Sequence, residues 1–90
     1  MEREIVLEKR RVGVENLILD YTLSKRTDKN GLVLYSLLIE ETVRDEREFV
    51  FLDALTDSEE KARELFLLFS NETVTPCTAE DVLHEILYAP

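Results

Sequence analysis

The hydrophobic period of this chain changes near Thr56. Up to that point apolar residues alternate with polar ones. Beyond it they recur three and four residues apart. Side chains alternate between the faces of a strand and return to one face of a helix about every 3.6 residues, so the two halves predict different elements. Strands followed by helices, rather than strands interleaved with helices, indicate an α+β fold.

In the first half, Ile5-Val6-Leu7 is a short apolar run bounded by charge, and it predicts a first strand closed by Lys9-Arg10-Arg11 with a turn or bulge at Gly13. Leu17, Leu19, Tyr21 and Leu23 share one face of a second strand, opposite Asp20, Thr22 and Ser24. The polar stretch Lys25 to Gly31 ends in Asn30-Gly31, a pair that tolerates the positive φ of tight connections. Val33, Tyr35, Leu37, Ile39 and Val43 alternate along a third strand, with Glu41 the exception. Arg44-Asp45-Glu46 suits a tight turn, and Phe49-Val50-Phe51-Leu52 is a fourth strand too uniformly apolar for its facing to be assigned. Connections this short favour an antiparallel meander over crossovers.

In the second half, Thr56-Asp57-Ser58-Glu59 matches a capping box, followed by the stripe Ala62, Leu65, Phe66, Phe69 and a stop near Asn71. Thr78-Ala79-Glu80-Asp81 reads as a second helix start with Pro76 outside it, Cys77 and Val82 as a staple, and Val82, Leu83, Ile86 and Leu87 as the buried face. The expected architecture is a four-stranded antiparallel meander sheet followed by two C-terminal helices packed on one face, all in one domain spanning residues 1–90.

Composition bounds the function. Apolar residues make up 44% of the 90, enough for one modest core despite a net charge of -9. No apolar run approaches the ~20 residues needed to span a bilayer, and Met1-Glu2-Arg3-Glu4 lacks the basic start of a signal peptide, so a cytoplasmic location and no membrane partner are expected. Residues 55–90 hold eight acids against Lys61 and Arg63. Such a half repels phosphate backbones, which argues against nucleic acid and for a protein partner with a basic surface. Sheet edges and the apolar fourth strand make a homodimer a further expectation.

Catalytic constellations are missing from the pattern. Glycine occurs only at positions 13 and 31, so no glycine-rich phosphate loop forms. Cys77 is the sole cysteine, which removes intrachain disulfides, and it reads as a small packing residue. His84 is the sole histidine. It lies seven residues from Cys77, about two helical turns, too far for a direct hydrogen bond. Glu80, Asp81 and His84 share one stretch of helix and could ligate a metal, against the plainer reading of a polar outer face. Tyr21, Tyr35 and Tyr88 either rim a pocket or bound the core with their tips in water. No catalytic, cofactor-binding or metal-binding residue is assigned, and no cofactor is expected.

Tyr21-x-Leu23, Tyr35-x-Leu37-x-Ile39, Val74-Thr75-Pro76 and Asp81-Val82 together make the chain resemble a family of small uncharacterised proteins, a domain of unknown function, from clostridia and related bacteria. Family members carry Gly after the second tyrosine and His shortly after the proline. Ser36 and Thr78 stand there here, so no role for that histidine carries over. The resemblance implies a bacterial cytosolic protein and implies no activity. The expected function is a small non-enzymatic protein-interaction or regulatory module. The alternative is a small-molecule or metal-binding domain using Tyr21, Tyr35 and His84.

Overall fold

The computed structural model describes residues 4–88, with the side chain of Tyr88 outside that description. Four strands, β1 (Glu4–Val14), β2 (Leu17–Thr27), β3 (Val33–Val43) and β4 (Glu46–Thr56), precede helices α1 (Glu59–Asn71) and α2 (Pro76–Tyr88). The strands form one sheet in the order β1-β2-β3-β4, each pair antiparallel, and both helices pack on one face. The α+β meander expected from the period change is therefore the fold.

The turns follow from local chemistry. Gly31 takes φ 83°, and Asp28 organises its loop by accepting from the Asn30 and Leu32 amides at 2.8 and 3.0 Å. The two other hairpins use non-glycine residues at positive φ, Glu15 and Arg44. The first strand runs on through Lys9-Arg10-Arg11 and Gly13 rather than closing there, and its irregularity lies between Val6 and Glu8. Pairing with β2 satisfies the backbone of that charged stretch, which outweighs its unfavourable composition.

Both helix starts differ from expectation. β4 continues to Thr56, so Thr56 is a strand residue whose hydroxyl accepts from the Ser58 amide at 3.1 Å. Ser58 is the N-cap of α1 and accepts from the Lys61 amide at 3.3 Å. Pro76 is the first residue of α2, where its missing N–H has no helical acceptor to lose. Thr75 precedes it, and the Thr78 hydroxyl accepts from the Thr75 amide at 3.3 Å. This start places Cys77 on the exposed side and Ala79 in the core, so Cys77 is not a packing residue.

The core lies between sheet and helices. Leu19, Tyr21, Leu23, Tyr35, Leu37, Ile39 and Leu52 from the strands meet Ala62, Phe66, Phe69, Val74 and Ala79. Val82 and Leu83 pack against it in part, whereas Ile86 and Leu87 are 40% and 55% exposed. Each helix has 13 residues, about 20 Å of length, under strands of 11 residues that are about 36 Å long, so part of the sheet is left without helical cover, while Ile86 and Leu87 lie beside Leu65 and Leu68 of α1.

Candidate functional site

A sheet with helices on one side leaves a second face to water. The register fixes what stands there. One row reads Lys9, Thr22, Leu38, Phe51 across the four strands, and the next reads Arg11, Asp20, Glu40, Phe49. The face is divided. Its β1–β2 half is polar, with Arg11 paired to Asp20 at 2.8 Å. That hydrogen bond and the Asp20 charge push the Arg11 guanidinium pKa up. Its β3–β4 half is mixed, with Leu34 and Leu38 half-buried and Phe51 and Phe49 exposed to 41% and 71% beside the polar Ser36, Glu40, Thr42 and Arg47. The odd-numbered residues of the Phe49–Leu52 run thus face away from the helices, while Val50 and Leu52 face the core.

Small polar residues floor the centre of this face. Thr22, Ser24 and Ser36 are buried although they stand on the face without helices. Ser36 donates to Asp53 at 3.0 Å and accepts from the Ala54 amide at 3.1 Å, while Arg26 reaches Asp53 at 3.0 Å. A shallow depression of about 460 Å³ lies beside them, lined by Lys9, Arg11, Asp20, Glu40, Thr42 and Arg47 among others. Arg11 and Asp20 in its wall already satisfy one another.

The residues singled out by sequence are dispersed. Tyr21 is buried and donates to the Val74 carbonyl at 2.9 Å, tying β2 to the α1–α2 connection. Burial raises its pKa from 10.0 to about 12, with Arg10 acting in the opposite sense. Tyr35 is also buried and donates to Glu59 at 3.3 Å. Burial first, then the Glu59 charge, raises its pKa. Arg63, hydrogen-bonded to Glu59 at 3.1 Å, holds that carboxyl below the ordinary range. The two phenol hydroxyls therefore sit at opposite ends of α1, and neither rims a pocket with the other.

His84, Glu80 and Asp81 are exposed on α2. Among the described residues no group of three or more His, Cys, Asp or Glu side chains is placed to hold a metal ion. The phenylalanines of β4 and the roles of Arg10 and Glu8 were not assigned from sequence. Arg10 donates to Ser70 and Asn71 at 2.9 and 2.6 Å, and Glu8 pairs with Arg63 at 3.0 Å, so β1 grips both ends of α1. The bulge between Val6 and Glu8 brings these two charged residues to the helix side, a shift that alternation alone does not show.

Among the described residues no helix is long and apolar enough to cross a membrane. Residues 1–89 match the model of a family described as a family of unknown function, DUF6514, and the chain belongs to that family. No curated protein and no solved structure matches the chain.

Proposed function

We propose that this member of the family is a non-enzymatic protein-interaction module of the bacterial cytoplasm, acting as one domain over residues 1–90. The observation that carries the reading is Phe49, 71% exposed beside Phe51 on a sheet face that the core does not need. A large exposed aromatic is an unrecovered hydrophobic contribution unless something covers it, and aromatic residues are enriched where proteins meet. The acidic helical layer, with Glu60, Glu64, Glu80 and Glu85 exposed, supports a partner that presents basic residues. A second copy of the chain is a further partner in this reading. The ligand-binding alternative has less support, since the depression on the sheet is open and its central Arg11 and Asp20 neutralise each other.

The test is site-specific photo-crosslinking in the native host. A benzophenone side chain at position 49 is expected to give a discrete adduct with another protein, and one at Lys29, exposed on the β2–β3 loop, is expected to give none. Equal labelling at both positions, or none at position 49, overturns the reading.

A further inference from the structure

We infer that two copies of this chain join through β4, antiparallel and two-fold symmetric about Val50, to make one continuous eight-stranded sheet. β4 is an edge strand, and among the described residues no backbone-to-backbone hydrogen bond outside the ladder reaches it. An edge of this kind exposes backbone donors and acceptors that another strand can satisfy. The pairable length is bounded on both sides. The β3–β4 turn at Arg44-Asp45 precedes it, and the ladder with β3 becomes irregular after Leu52, where Ala54 takes φ 51°. Glu46 to Leu52 lie in the regular ladder and Asp53 is the last residue before the Ala54 turn, so the midpoint of the segment falls between Phe49 and Val50.

The side chains select the register. A two-fold axis perpendicular to a sheet keeps each residue on its own face, so opposed residues must both be odd or both even. Of the registers centred between Arg47 and Asp53, only the one on Val50 sets opposite charges across the seam, Arg47 against Asp53 in each direction. The same register sets Phe49 against Phe51 of the second copy, and the reverse. Arg47, Phe49 and Phe51 stand on the face without helices by their register, and Asp53 stands there by its bonds with Ser36 and Arg26. Centring on Arg47 would set Arg47 against itself and Glu46 against Glu48. The other edge is guarded. β1 carries Lys9, Arg10 and Arg11 at its middle and is irregular between Val6 and Glu8, and both features discourage pairing along that edge. Pairing β1 of one copy with β4 of another is heterologous, so it would yield rings or open chains instead of an isologous pair.

The dimer deepens the docking reading given above, because it joins two aromatic strips into one, but it rests on edge complementarity and not on a partner. Sedimentation equilibrium of the full chain is expected to show a species at twice the 10.5 kDa chain mass. Arg47→Asp, which sets two carboxylates against each other twice, is expected to return it to monomer with unchanged circular dichroism. The register is read separately with Cys77→Ser chains carrying Phe49→Cys or Phe51→Cys. Mixing the two should give several-fold more disulfide-linked dimer than either alone, since only unlike positions face each other. A monomer throughout the concentration range, an Arg47→Asp dimer as tight as the parent, preferential 49–49 linkage, or open higher oligomers would each overturn the inference. A monomer that still gives the position-49 adduct removes the dimer and leaves the docking reading. A dimer whose position-49 adduct is only with a second copy of the chain does the reverse.

Discussion

Tyr21 sits at the junction of three elements, with its ring in the core and its hydroxyl on the Val74 carbonyl. Tyr21→Phe keeps the ring and leaves that carbonyl without its donor, which should cost about 1–2 kcal/mol in a urea titration near neutral pH. The phenol also links stability to alkali. Its folded pKa is raised from 10.0 to about 12, so the unfolded chain releases the proton first. The contribution is complete below the lower value and declines as pH rises toward the upper one. The parent should lose stability across that window more steeply than Tyr21→Phe, and parallel curves would remove the phenol from the account. Phe66 is a simpler case, a buried ring on the helical side of the same core. Phe66→Ala should destabilise by about 3–5 kcal/mol, read as a lowered melting temperature. The burial of Phe66 and Phe69 was legible from their spacing. The Tyr21 acceptor was not, because it lies 53 residues away on a carbonyl that only folding brings near.

At the scale of elements, helix ends are where local pattern and tertiary structure compete. The capping-box pattern put the helix start at Thr56, although Ser58 carries the same capping chemistry two residues on. The ladder between Tyr35 and Thr56 overturns that assignment in favour of Ser58, because a residue held in a strand cannot also begin a helix. Ser58→Ala should therefore cost about 1 kcal/mol by loss of the acceptor for the Lys61 amide, and Thr56→Ala should cost less. The far end of α1 turns through Thr73 at φ 51°, with the Val74 amide donating to the Phe69 carbonyl at 3.0 Å. A β-branched residue is strained in that region, so Thr73→Gly should raise stability by about 1 kcal/mol. Both effects are measurable from denaturant midpoints. If Thr56→Ala proves the more damaging, the capping assignment is reversed.

The whole molecule is a slab only 17 Å thick, with charge distributed unequally between its layers. Nine of the 11 basic residues belong to residues 1–56, and the helical half is strongly acidic. Against a partner with a basic surface, Glu60→Gln with Glu64→Gln should slow association more than it speeds dissociation, because exposed charges act mainly on encounter. Binding should also weaken as salt brings the Debye length below ~10 Å. Stopped-flow measurements over a salt series separate these effects, and salt-independent association would return the two glutamates to a solvating role.

The order of elements was determined by the sequence alone, because period two and period 3.6 are local properties written in consecutive residues. So were the helix-facing rows of β2 and β3 and the aromatic stripe of α1. Three things were decided only in the folded molecule. The facing of Phe49-Val50-Phe51-Leu52 came from the β3 ladder, since a uniformly apolar run has no period of its own. The union of β1 with α1 through Glu8 and Arg10 came from a bulge that shifts the face on which charged residues stand. The exposure of Ile86 and Leu87 came from the way α2 sets them beside Leu65 and Leu68 of α1 in an open groove, a placement that no window of sequence contains. Pairing and packing bring distant residues together, and the surfaces left uncovered are set by that meeting.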